Sequence, residues 1–240
     1  MPFKHVLPLK RGIAAAHRVD TGSAAATLAD MRITLVHALK HSIVPIEASF
    51  AKLWPDAQLM NLLDDSLSAD LARDGGLSEA MTERFLKLGR YAAGTGSDAI
   101  LFTCSAFGPC IEAVARAQAP MPVLKPNEAM IEQAVTKGRK IGLLSSFPPT
   151  LASMPREFPA SIELVPKLAE GALAALDRGD RATHDRLVVE ASKDLCDCDL
   201  IALAQYSMAP AAEMVAAATG RPVVTTPDSA VLKLKQMLRG

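Results

Sequence analysis

The chain has 240 residues, half of them hydrophobic and 22% charged, with 26 basic side chains against 26 acidic ones. That balance excludes a disordered chain and supplies a core of ordinary size. Zero net charge and 4% aromatic content argue against nucleic acid as a partner, because neither a basic surface nor a base-stacking platform is present.

No apolar stretch approaches the ~20 residues of a membrane span, so no membrane partner is expected. The first twenty residues do not read as a secretory signal, since Lys4, Lys10, Arg11 and Arg18 interrupt every apolar run. Residues 1–30 lack sustained periodicity and contain a Thr21-Gly22-Ser23 turn, the pattern of an appended arm. Cys104, Cys110, Cys196 and Cys198 match neither a zinc-ligand spacing nor a disulfide framework, so reduced thiols and a cytoplasmic setting are expected.

From Met31 onward short apolar runs alternate with helical patterns, as in βα units around parallel sheets. Strands are predicted at Arg32–His37, Ala57–Leu62, Asp98–Thr103, Met121–Leu124, Lys140–Ser145, Ser161–Val165, Asp199–Ala204 and Pro222–Thr225. Several are apolar throughout, as strands covered on both faces should be. The spacing of Ile43, Ile46, Phe50 and Leu53 predicts a helix over Ile43–Leu53. Further helices are predicted over Ser78–Ala93, Ala106–Ala117, Pro126–Lys137, Ala182–Leu195, Ala209–Thr219 and Ser229–Leu238.

Eight strands also fit a closed barrel. The break at Lys125-Pro126-Asn127 and the likeness of the two halves favour an α/β fold of two pseudo-symmetric lobes, each with a mainly parallel sheet flanked by helices. The expected division is 31–126 with 226–240, and 127–225. Each half holds an apolar strand that ends in small polar residues before an Ala-rich helix: Phe102-Thr103-Cys104-Ser105-Ala106 and Leu203-Ala204-Gln205-Tyr206-Ser207. Ligand crevices in open parallel sheets lie beyond such carboxyl ends, so the expected site lies between the lobes.

Cys104 is the leading candidate. Placed where a strand gives way to a helix, it would meet free N–H groups that favour a thiolate, able to move a proton or attack a carbon. Cys110 reads as a small buried hydrophobe, and Cys196 and Cys198 as structural.

The run Phe102-Thr103-Cys104-Ser105-Ala106-Phe107-Gly108-Pro109-Cys110 and the doubled plan resemble the aspartate/glutamate/hydantoin racemase superfamily over roughly residues 31–240. The resemblance implies two lobes with the active site between them. It also implies a cysteine at a strand tip in each lobe, one thiolate removing a proton and the other thiol delivering one, and Cys104 falls on the first position. Gln205 stands on the second, and a carboxamide is neither acid nor base, though it can donate a hydrogen bond to an oxyanion. The resemblance therefore implies a cofactor-independent racemase or isomerase acting beside the carboxylate or carbonyl of a small acid. A decarboxylase on the same scaffold, or a two-lobed binding protein without catalysis, are the alternatives.

Around that centre, His37 is a candidate acid/base or substrate-binding group and Tyr206 a candidate proton relay. Thr103, Ser105, Ser145, Ser146, Gln205 and Ser207 are candidates for holding the substrate, with Thr225 and Thr226 read in the same way. Lys125 is a candidate partner for an anionic substrate, against the plainer reading of a lysine paired with Glu128. His37 and His41 lack a third metal ligand at sensible spacing, so no metal is expected. His184 and Asp185, among Arg181 and Arg186, read as a solvated helix face. No dinucleotide or phosphate-loop motif occurs, and no cofactor is expected. A small carboxylate substrate is the expected partner, and self-association is left open.

Overall fold

The computed structural model describes Leu28 and residues 30–239. Its strands are β1 (Arg32–His37), β2 (Gln58–Leu63), β3 (Ala99–Phe102), β4 (Val123–Leu124), β5 (Lys140–Ser145), β6 (Glu163–Leu168), β7 (Leu200–Leu203) and β8 (Val223–Thr225). They form two four-stranded parallel sheets, ordered β2-β1-β3-β4 and β6-β5-β7-β8. The two orders are the same, so the lobes are repeats of one plan. β3 and β7 are buried along their whole length, which suits their continuous apolar sequence.

The helices are α1 (Ile43–Leu53), α2 (Ser66–Asp74), α3 (Glu79–Gly94), α4 (Gly108–Gln118), α5 (Glu128–Lys137), α6 (Pro148–Ser153), α7 (Ala172–Asp177), α8 (Arg181–Ser192), α9 (Ala212–Thr219) and α10 (Thr226–Met237). Ser78 caps α3 by accepting the Met81 N–H. α5 starts at Glu128, with Asn127 at the cap, so Pro126 stands one place outside the helix expected to contain it.

Matching aspartates start β3 and β7. Asp98 accepts the Arg32 N–H, and Asp199 accepts those of Arg139 and Lys140, so each carboxylate ties the inner strand of its sheet to the next. α3 and α4 pack tightly through Gly89, where an added Cβ would lie 2.4 Å from Val114 Cγ1.

α2, α6 and α7 were not expected from the sequence. α2 covers the tip of β3: Leu67 and Leu71 join Phe85, Phe102, Cys104 and Phe107 in one apolar cluster. The C-terminal α10 returns to the first lobe, where Ala230, Val231 and Leu234 pack with Ile33, Leu35, Phe50 and Leu101. Two second-lobe rings enter first-lobe clusters, Phe147 after β5 and Tyr206 after β7. The arm expected over residues 1–30 lies outside the described residues except at Leu28 and Asp30; the Leu28 carbonyl accepts the Trp54 indole N–H at 3.1 Å. No described helix is long and apolar enough to cross a membrane.

Candidate active site

The tips of β3 and β7 meet at the seam between the lobes. Thr103, Cys104, Ser105, Gln205, Tyr206 and Ser207 line one crevice there, together with His41, Thr150 and Thr226. It has room for about one water molecule, ≈ 10 Å³. The structure is thus a closed form, and even a small acid enters only when the lobes part.

Strand register places Cys104 and Gln205 in equivalent positions. Val36 pairs with Phe102 in the first sheet and Leu144 with Leu203 in the second, and each candidate lies two residues beyond. Cys104 is buried, and burial pushes its thiol up to about 11, against the pull of the Ala106 N–H and the Ser68 hydroxyl. The ready thiolate expected at this tip is therefore corrected. The short 3-10 turn Ser105–Phe107 separates Cys104 from α4, and desolvation outweighs the donors.

Gln205 is held firmly. Its Oε1 accepts the Ser145 hydroxyl at 2.9 Å, the Ser146 hydroxyl at 2.9 Å and the Ser146 backbone N–H at 2.5 Å. A backbone N–H can only donate, so the oxygen must face the serines and the NH₂ group must face away from them. Among the described residues that NH₂ has no partner. Ser145 and Ser146, expected to hold substrate, instead orient Gln205, and neither lines the crevice.

His37 does not reach the crevice either. Asn61 Nδ2 donates to Glu47 at 2.7 Å, which turns Asn61 Oδ1 toward His37 Nε2 at 2.9 Å. Nε2 then carries the proton, and the Thr103 hydroxyl donates to Nδ1 at 2.8 Å. Burial lowers the His37 pKa and favours this neutral ring. His37 is thus a buried support for Thr103, with both nitrogens engaged.

Ser105 bridges the lobes, with its hydroxyl 3.0 Å from that of Thr150. Tyr206 is buried with its hydroxyl unpartnered, and burial pushes its pKa far up, which removes the relay expected of it. Lys125 is not in the crevice: its ammonium binds Glu112 at 2.7 Å and Glu128 at 3.3 Å, the plainer of its two readings widened by one carboxylate.

His184, expected on a solvated face, is fully buried, with Nδ1 2.6 Å from Asp185 and Nε2 unpartnered. Its charged neighbours in sequence disguised a position that points inward. His41 was weighed only as a metal partner of His37, yet it lines the crevice and meets Asp177 of the second lobe at 2.8 Å. Thr150 carried no sequence signal at all. Among the described residues no group of three or more His, Cys, Asp or Glu stands close enough to hold a metal.

Two like four-stranded lobes that close on a strand-tip thiol define the class, a two-lobed α/β protein with a crevice at its seam. The chain belongs to the Asp/Glu/Hydantoin racemase family, whose sequence profile matches residues 46–234. It is similar in structure to a glutamate racemase from Francisella tularensis in complex with D-glutamate, at 16% identity and TM-score 0.67, over 87% of this chain and 81% of that one. Allantoin racemase from Klebsiella pneumoniae aligns at 16% identity and TM-score 0.65, over 87% and 88% of the two chains. Unliganded arylmalonate decarboxylase aligns at 18% identity and TM-score 0.60, over 88% and 93%. At these identities the likeness is one of fold. No curated protein matches the chain.

Proposed function

We propose that the protein is a cofactor-independent enzyme acting at the carbon next to the carboxylate or carbonyl of a small acid. Cys104 is the general acid that protonates the substrate carbon, and Gln205 is the donor that holds the developing enolate oxygen. The observation that carries this reading is the fixed carboxamide: three hydrogen bonds to Oε1 leave the NH₂ group as the end available to substrate. A donor held in place before the reaction stabilises an enolate without reorganising, which is how an oxyanion hole acts.

A protonated thiol then delivers S–H to the carbon. The enolate arises by racemase-type chemistry, through removal of the α-proton. A second reading, loss of carbon dioxide, is favoured by one observation: a thiol pushed up to about 11 is a proton donor at neutral pH, not a base. In that case the C–C electron pair becomes the enolate and Cys104 supplies the only proton transferred to carbon.

Incubation in deuterated water with glutamate, aspartate, allantoin and arylmalonates separates the readings. α-Deuteration without loss of carbon dioxide supports the isomerase, and carbon dioxide release with one deuteron incorporated supports the lyase. Binding of these acids without either reaction would leave a non-catalytic binding protein.

A further inference from the structure

We infer that His41, held by Asp177 across the seam, is the second proton-transfer group of the crevice, the base that removes the α-proton. This rests on the enolate chemistry of the preceding subsection and deepens it. His41 lies in the 3-10 turn Lys40–Ser42 of the first lobe, and Asp177 ends α7 in the second. Nε2 lies 2.8 Å from Asp177 Oδ1. A carboxylate only accepts, so Nε2 carries the proton and the lone pair of a neutral ring is on Nδ1.

Among the described residues Nδ1 has no partner, and the ring lines the same crevice as Cys104 and Gln205. A carboxylate that fixes the tautomer of a crevice histidine and leaves its other nitrogen unpartnered is the arrangement a general base requires. Because the two residues come from different lobes, the pair exists only in the closed form. The base is thereby oriented once the substrate is enclosed.

Several charged groups near this end of the seam are already engaged. His184 binds Asp185, and Arg181 lies 3.6 Å from Asp185 and donates to the Ser207 carbonyl at 3.3 Å. His37 has both nitrogens bonded, and Lys125 is held by two glutamates. Among the described residues, His41 is the titratable side chain that lines the crevice with an unpartnered nitrogen.

The proton balance closes. Nδ1 takes the α-proton, the C–H electron pair moves into the enolate held by Gln205, and the Cys104 S–H protonates the carbon. The resulting imidazolium returns its proton to the thiolate through water. A histidine base and a thiol acid thus replace a pair of thiols.

Two measurements test this. In ¹⁵N-detected NMR of the ligand-free protein, His41 should be the Nε2–H tautomer, and the fixed tautomer should be lost in Asp177→Asn, which removes a half-exposed carboxylate and leaves the fold intact. A His41 Nδ1–H tautomer in the wild type would overturn the inference with no substrate needed. In the exchange assay, His41→Gln should lower α-deuteration about 10²–10⁴-fold, while any release of carbon dioxide from arylmalonates continues. Exchange that needs Cys104 but stays within twofold of wild type in His41→Gln would also overturn it. Absence of both reactions on every acid, in a wild type with the expected tautomer, would instead count against the enolate chemistry itself.

Discussion

Gln205 occupies in the second lobe the place that Cys104 occupies in the first, two residues beyond paired positions of equivalent strands. Under the proposed chemistry one tip offers a proton and the other a hydrogen bond, so a duplicated frame would carry two different chemical jobs. Replacing Gln205 with Glu should put an anionic oxygen where the NH₂ group stood and lower kcat, because the donor held for the enolate becomes a repelling charge. Gln205→Cys should lower α-proton exchange, because it removes the NH₂ donor proposed to hold the enolate oxygen. It should also cost about 1–3 kcal/mol of stability, because the buried Ser146 N–H loses its acceptor. Exchange followed on each enantiomer separately, alongside urea denaturation, checks both effects.

Cys104→Ala should abolish turnover and Cys104→Ser should do nearly the same, since a hydroxyl is a far weaker acid. The thiol is pushed up to about 11, so a step in which it donates a proton should be flat through neutral pH and decline as pH rises toward that value. Alkylation should reach Cys196 first, because it is half-buried while the other three cysteines are buried. Fast labelling of Cys104 at neutral pH would contradict the protonated, enclosed thiol.

Tyr206→Phe should leave turnover intact and hold or raise stability, by up to about 1–2 kcal/mol, because it removes a buried hydroxyl that has no partner. Loss of activity with unchanged stability would restore the proton relay to this residue.

Acid should weaken the fold through histidine. Burial lowers the pKa values of His37 and His184 below the ordinary 6.5, so below about pH 6.5 the unfolded chain binds protons that the folded chain refuses. The stabilisation is complete above that pH and is lost as pH falls toward the folded values, by at most about 1.4 kcal/mol per pH unit for each ring. His37→Gln should flatten the dependence of Tm on pH between 7 and 5, read by calorimetry.

Gly89→Ala should lower stability by about 1–3 kcal/mol, although alanine is the better helix former, because the new methyl would lie 2.4 Å from Val114 Cγ1. Combining it with Val114→Ala should relieve the overlap, so that the double variant loses less than the two single changes added together, as measured by chemical denaturation.

Much of the frame was legible. β1 and β5 keep their sequence bounds because each is an apolar run ended by a polar tip, and Cys104 stood out because Thr-Cys-Ser terminates such a run. α2 was missed since Leu67 and Leu71 alone mark its apolar buried side, yet both pack in the cluster that buries Cys104, and that burial pushes the thiol up. The hydroxyls of Ser145 and Ser146 were visible, but not that another strand tip reaches them first. His41 depends on Asp177, 136 residues away, a relation that no local pattern encodes. Side chains whose role is set by their own strand could be read, whereas those set by the opposite lobe could not.

Phe147 and Tyr206 leave their own lobe and end among the apolar side chains of the other. To widen the crevice, these rings must be drawn partly into water, at roughly 1.5–3 kcal/mol for each ring fully exposed. That cost favours the closed arrangement over a wider one. Association should be slower than free diffusion allows, and anything enclosed should depart slowly.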